Sequence, residues 1–410
     1  MSYVLNHDDL ESLLLGACFF GSGGGGTLTS ARSLLAQFHA GDYYPDAQVR
    51  EVSVDEATDG ETVMVAYLGS PVAINGAQFP QGPVDAVIAV RERLALENRT
   101  LAYLAPPESG ALGFLVACLV AAHLGLAVID ADGAGRAVPS LPQLTYAAEQ
   151  INPRPAFLVS QSGLRVELDV QPSQGVNGAR AHQQDVATII DQMMRPIVSQ
   201  ADFKQFGGLA MWIMTPAELA RALPGRGTLG RALRLGRELQ AGRLRSADEL
   251  VDYLARQCDM RAWPLFPQGT FVAAEVDSRN GFDLGKITIR AGERLCTVLY
   301  QNESLLAWDS SRSTPLCMAP DTISYFVEGD GDGDGQVVYS NGDLLLPDGT
   351  LNPALLQRKV TLLGLQAHPA LRERGGLILD SFMQLLNTIG YLGPYVPLAG
   401  NAGAAAGSAA

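Results

Sequence analysis

The chain has 410 residues, 47% of them apolar, and a formal net charge of −14. That is enough for two or three domains with a sizeable core. The excess of 43 Asp and Glu over 29 Lys and Arg argues against a nucleic-acid-binding surface, which needs clustered basic side chains.

The opening segment is acidic and amphipathic and lacks the basic start of a secretory leader, so a cytoplasmic location is expected. Asp8 or Asp9 is placed to cap a first helix through Leu10, Leu13, Leu14 and Leu15. The run Gly21-Ser-Gly-Gly-Gly-Gly26 must then be a loop, and Thr27 or Thr29 caps a second helix over 30–38. Next come a strand at 62–68, a helix at 83–96, a strand at 99–104, a helix at 113–124 and a strand at 126–129. The apolar stretch 111–129 is broken by Gly113, His123 and Gly125, which fits a buried helix plus strand rather than a membrane span. Alternating strands and helices imply a mainly parallel sheet, with functional loops at the carboxyl ends of its strands. Three loops fall there: Gly69-Ser70, Glu108-Ser109-Gly110 and Asp130-Ala131-Asp132.

Residues 157–170 read as a hairpin and 186–200 as a helix. Thr215, Thr228 and Ser246 can cap helices over 216–223, 229–240 and 247–255. From 265 onward short β-rich runs alternate with turns: 270–276, 286–289, 295–300, 305–308, 322–327, 337–339 and 359–365. Residues 371–386 return to a helical pattern, and the Ala/Gly/Ser tail is expected to be disordered. The expected architecture is α/β: an α/β sandwich domain with a mainly parallel sheet over 1–262, a small β-barrel-like domain over 263–366, and 367–398 packing back on the first, before a tail at 399–410.

The glycine cluster offers backbone N–H groups beside a helix N-terminus, a setting for an anion or an ionised ring oxygen. No Gly-Lys-Ser/Thr follows it and a helix precedes it, so no nucleotide is expected. Asp130-Ala-Asp-Gly-Ala-Gly-Arg136 follows the most apolar strand. Asp130 and Asp132 could share a divalent metal, or one could act as general base oriented by Arg136, against the plainer reading of a salt-bridged turn. Glu108, fixed by two preceding prolines, could face the same crevice. Asn302 and Glu303 form an amide–carboxylate couple able to read a ring N–H and C=O. Asp330-Gly-Asp-Gly-Asp-Gly335 superficially resembles a calcium loop but lacks the acidic twelfth residue, and reads as a flexible hairpin tip. The five Cys have no metal-site spacing, and the five His are dispersed, His182 with Asp185 near a helix start being the one pair of note.

In this order the glycine cluster, Gly69-Ser70-Pro71, Asp130 to Arg136 with Pro139, Gln301-Asn302-Glu303, Pro320-Asp321 and Gly393-Pro394-Tyr395-Val396-Pro397-Leu398 resemble the family once catalogued as DUF917, now associated with S-methyl-thiohydantoin desulfurase. The resemblance spans about 8–398. It implies an α/β sandwich joined to a β-barrel, and a hydrolase of a five-membered cyclic ureide or its sulfur analogue, with water attacking C2 and a thiol leaving. On that reading Asp130, Asp132, Arg136 and Glu108 carry the chemistry, while Gly23, Gly24, Gly25, Gly26, Ser70, Asn302, Glu303 and Asp321 bind substrate. The implied partners are the small-molecule substrate, a hydantoinase-like subunit, and further copies of the chain in a homo-oligomer. A non-catalytic partner subunit of a hydantoinase or oxoprolinase-like complex, and a divergent member repurposed in biosynthesis, are the alternatives. One departure stands out: the family's Glu-x-Gly-Gly-x-Asn is here Glu108-Ser-Gly-Ala-Leu-Gly113, without the second Gly and the Asn.

Overall fold

The computed structural model describes residues 3–40, 48–70, 73–79, 81–171, 182–279, 281–328, 336–373 and 376–398. The Asp330–Gly335 stretch and the tail at 399–410 lie outside them.

Two eight-stranded sheets organise the chain. The first comprises β1 (Tyr3–Leu5), β2 (Val49–Val52), β3 (Glu61–Gly69), β4 (Leu101–Ala105), β5 (Ala127–Ile129), β6 (Ala156–Val159), β7 (Arg165–Leu168) and β8 (Phe206–Met214), in the order β1-β2-β5-β4-β3-β8-β6-β7. The block β2-β5-β4-β3 is parallel, as the alternation of strands and helices implies, and antiparallel pairings extend it on both sides.

Strand geometry explains how this sheet carries two helical layers. Successive side chains point to opposite faces. Val63 and Val65 join one core with α1 (His7–Phe20), α2 (Leu28–Ala40), α3 (Pro83–Leu96), α4 (Ala111–Leu124), α8 (Thr228–Gln240) and α9 (Ala247–Gln257). Met64, Ala66 and Leu68 join the other, with α5 (Thr145–Ala148), α6 (Gln183–Val198), α7 (Pro216–Ala222), α10 (Pro369–Arg372) and α11 (Leu377–Thr388). Leu371, Ile378, Phe382 and Leu386 lie in this second core.

The second sheet is antiparallel throughout: β9 (Ala262–Arg279), β10 (Phe282–Ala291), β11 (Arg294–Gln301), β12 (Glu303–Asp309), β13 (Cys317–Met318), β14 (Thr322–Val327), β15 (Val338–Tyr339) and β16 (Lys359–Leu365), ordered β13-β12-β11-β10-β9-β16-β14-β15. β12 and β13 pack against β14, but among the described residues no hydrogen-bonded ladder closes the sheet into a barrel.

Local chemistry differs from the sequence expectation at several ends. Asn6, not Asp8 or Asp9, caps α1: its Oδ1 accepts from the Asp9 N–H at 3.0 Å, and Asp9 reciprocates by accepting from the Asn6 N–H at 3.1 Å. Thr27 caps α2, accepting from the Ser30 N–H at 2.9 Å. Gly227, in the left-handed region at φ 71°, occupies the cap of α8, leaving Thr228 as its first helical residue. Thr215 and Ser246 cap α7 and α9 as expected, and His182 with Asp185 forms a capping box at α6. The helical pattern at 371–386 is two helices rather than one.

β1, β2 and β8 are strands that the sequence pattern does not announce. β8 carries Gly207-Gly208 directly after its first residue, yet it pairs with β3 inside the sheet. A Cβ at Gly208 would fall on the backbone of Gly82 and Pro83, so the glycine is what lets α3 start against the sheet. No helix among the described residues is long and apolar enough to cross a membrane.

Candidate functional site

Four chain segments meet where the two sheets touch: the glycine loop after α1, the loop after β4, the loop after β5, and the β11–β12 turn. β4 and β5 are parallel neighbours, so their carboxyl-end loops lie side by side. The glycine loop is stitched to the second sheet by its backbone. The Ser304 N–H donates to Ser22 O at 2.7 Å, the Asn341 N–H to Gly23 O at 2.7 Å, and the Ile323 N–H to Ser22 Oγ at 3.0 Å.

Between these segments lies a cavity of about 90 Å³. Its polar side chains include Glu108, Arg195, Asn302 and Glu303; Gly25, Gly26 and Gly113 line it, and Met64, Leu112, Leu141 and Leu209 are among its apolar walls. The two carboxyls come from different sheets. Glu108 Oε2 accepts from the Val138 N–H at 2.8 Å. Glu303, 3% exposed, has only a long contact from the Gly25 N–H to Oε1, 3.4 Å, and its Oε2 is buried without a hydrogen bond. A buried carboxyl oxygen without a partner is costly and calls for an explanation.

Burial pushes Glu303 up to about 7, with the Arg136 guanidinium and the Gly25 amide opposing. Glu108 is pushed well above the carboxylate range, first by burial and then by the Glu303 charge. Glu303 therefore ionises first and its charge helps keep the Glu108 proton in place. At neutral pH Glu108 is a proton donor, while Glu303 lies near its midpoint and becomes the proton acceptor as the pH rises.

Asn302 sits at φ 58°, a left-handed position that Asn tolerates, and turns β11 into β12. Its Oδ1 accepts from the Asp283 N–H at 2.8 Å, while its Nδ2 makes no hydrogen bond with any described residue. Ser70 donates to Asp283 Oδ1 at 2.9 Å, holding that turn from behind rather than lining the cavity. Arg195 was not singled out by the sequence. It spans to Asp191, Gly281 O and Pro139 O and stacks on Phe282 at 4.1 Å. The one hint was its i, i+4 spacing from Asp191 on an otherwise apolar helix face.

The Asp130–Arg136 loop does not converge on this cavity as expected. Asp132, 1% exposed, takes the Ser109 hydroxyl at 2.8 Å and the Ala134 and Gly135 amides at 2.9 and 2.6 Å, tying the β4 and β5 loops together. Arg136 donates to four backbone carbonyls, those of Ala137, Pro320, Asp321 and Ser304, at 2.7 to 3.2 Å, and stacks on Phe382; it is a strut between the sheets. Burial lowers it to about 10. Asp130 points away, accepting from the Gly230 N–H at 2.9 Å at the start of α8 beside Glu51, whose carboxyl burial and Asp130 push up to about 8. Asp321 is equally occupied, accepting from the Ala367 N–H, the Tyr395 hydroxyl and the Leu398 N–H. Gly23 and Gly24 pack on Asn341 and Glu303 rather than opening to the cavity, so Gly25 and Gly26 are the glycines that line it. Asp130 and Asp132 do not share a site, and among the described residues no three His, Cys, Asp or Glu side chains are grouped to hold a metal.

Residues 8–170 match the family described as S-Me-THD-like, N-terminal domain, and residues 184–394 match S-Me-THD-like, C-terminal domain. A crystal structure of a protein from Chromobacterium violaceum is 56% identical, over 97% of this chain and 100% of its own, with a TM-score of 0.87. No curated protein matches.

Proposed function

Because the chain belongs to the S-Me-THD-like family, matched over both domains, we propose that it hydrolyses a five-membered cyclic ureide or its S-alkyl thiohydantoin analogue at C2. The observation that carries this reading is the Glu108–Glu303 pair in a small, largely apolar cavity at the junction of the sheets. Two carboxyls whose environments hold them in different protonation states are what acid–base hydrolysis needs.

Ionised Glu303 takes a proton from water as its oxygen bonds to C2. Protonated Glu108 delivers its proton to the ring nitrogen of the amidine-like unit. The tetrahedral carbon then collapses to C=O, its hydroxyl proton passing to the Glu108 carboxylate and restoring the acid, and the C–S bond to the S-alkyl group breaks. The proton held on Glu303 passes to the sulfur, and the thiol leaves. The sum is ring plus water giving cyclic ureide plus thiol. Asn302, whose Nδ2 makes no hydrogen bond with any described residue, reads the ring carbonyl. The positive charges of Arg136 and Arg195 help keep Glu303 ionised.

The test is thiol release by the purified chain from an S-methyl-thiohydantoin, followed with a thiol-reactive dye. Glu303→Gln and Glu108→Gln should each lower kcat by about a hundredfold or more. Release no faster than in buffer, or full activity in both variants, rejects the proposal. Turnover by the chain alone also separates an enzyme from a non-catalytic partner subunit.

A further inference from the structure

The loop that walls the Glu108–Glu303 cavity has a second cavity on its other side, of about 600 Å³. Asp132 and Arg136 line it together with the start of α8, the end of α9 and the segment 366–372. Its charge runs against that of the chain: five arginines and two aspartates line it, in a protein where acidic residues outnumber basic ones 43 to 29. Asp132 is already satisfied by three donors within the loop.

Two side-chain donors there, on Arg231 and Thr228, make no hydrogen bond among the described residues. The Arg231 side chain makes no hydrogen bond or ion pair with any described residue, and its Nε is buried. Thr228, 4% exposed, lines the cavity from the first turn of α8; it is close enough to Asp132 to favour its ionised form, yet its Oγ1 makes no hydrogen bond. Leaving buried donors unpaired is costly, and a helix start adds partial positive charge. Around them stand Arg226, Arg261 and Arg372. The field is felt by His368 in the same wall, held below its usual range by burial and by Arg231 and Arg372.

We propose that this cavity binds a small oxyanion, a phosphate- or carboxylate-bearing molecule seated on Arg231 and the Thr228 hydroxyl. Its volume suits a metabolite-sized ligand. Because the Asp130–Val138 loop lies between the two cavities, an anion here bears on the segment whose Val138 amide holds Glu108.

The experiment is titration calorimetry on the full chain at fixed ionic strength, with inorganic pyrophosphate and citrate as separate probes. Binding of pyrophosphate alone identifies a phosphate site, of citrate alone a carboxylate site, and of both a general oxyanion site. Arg231→Gln should weaken binding about tenfold or more, in line with loss of a charge-assisted contact. Arg256→Gln, on α9 but outside the cavity and paired with Asp252, should leave it unchanged. Thr228→Val gives a second variant if Arg231→Gln does not fold. No heat with either probe, or equal affinity in wild type and the Arg231 or Thr228 variant, overturns the proposal. Binding rather than turnover is read, so either result stands apart from the hydrolase reading.

Discussion

Glu303 is where function and stability oppose each other, and the opposition can be measured. Its ordinary value is 4.5 and its folded value about 7. Below pH 4.5 both folded and unfolded chains carry this proton. Between pH 4.5 and 7 the unfolded chain releases it and the native one keeps it. The native state then binds more protons, so stability falls as pH rises. At about 1.4 kcal/mol per pH unit, the loss by pH 8 is about 3 kcal/mol. Glu108 acts in the same direction. Glu303→Gln keeps the shape and removes the ionisation. Its stability should match wild type at pH 5 and exceed it by about 2–3 kcal/mol at pH 8, while turnover collapses. Urea unfolding midpoints at pH 5, 6, 7 and 8 give the comparison. An unchanged pH slope in the variant, or a variant less stable than wild type at pH 8, would refute the reasoning: the carboxylate would then be well solvated or well paired, and Oε2 would not be the orphan that the site displays.

Three other substitutions separate chemistry from scaffold. In Gly24→Ala the new Cβ lands on the Glu303 carboxyl, and Gly24 needs no left-handed backbone, so folding should survive while kcat falls about tenfold or more, read by melting temperature and turnover on one preparation. Asp130→Asn should leave turnover within about twofold, because its carboxylate serves the start of α8; the Glu51 carboxyl, relieved of a neighbouring charge, should titrate lower by NMR. Arg136→Lys cannot reach four carbonyls with one ammonium and should cost about 2–4 kcal/mol by urea unfolding, with turnover per folded molecule largely kept.

Much of the fold was legible because its signals are local. α3 starts at Pro83 and ends at Leu96 as the pattern predicts, and β14 and β16 occupy the apolar runs read as strands. What escaped depends on distant partners. β8 is buried on both faces inside the sheet, so Phe206–Met214 shows no alternation, and two glycines follow its first residue. β1 is three residues long and exists because β2 pairs with it. Closing the second sheet into a barrel is a question of which edges meet, and strand spacing along the chain does not carry that information.

The site was legible in composition but not in assignment, for a physical reason. Asp130, Asp132 and Arg136 drew attention as charges at the end of an apolar strand, where charges are expensive unless used. Use, however, includes holding backbone. Asp132 with three donors and Arg136 with four carbonyls have spent their hydrogen-bonding capacity on the loops, whereas Glu303 has a buried oxygen with none. A sequence shows that a carboxyl exists; only three-dimensional neighbours show whether its lone pairs are occupied. Glu108 and Glu303 were both visible as carboxyls at turns, one after two prolines and one after a left-handed Asn, yet nothing along the chain says that they face one cavity. That fact depends on the glycine loop. Gly25 lies so close to the Gly110 backbone that neither position has room for a Cβ, and Gly24 leaves no side chain between the loop and Glu303. The glycines, which looked like an anion cradle, act here by being small enough for the second sheet to bring its carboxyl up to the first.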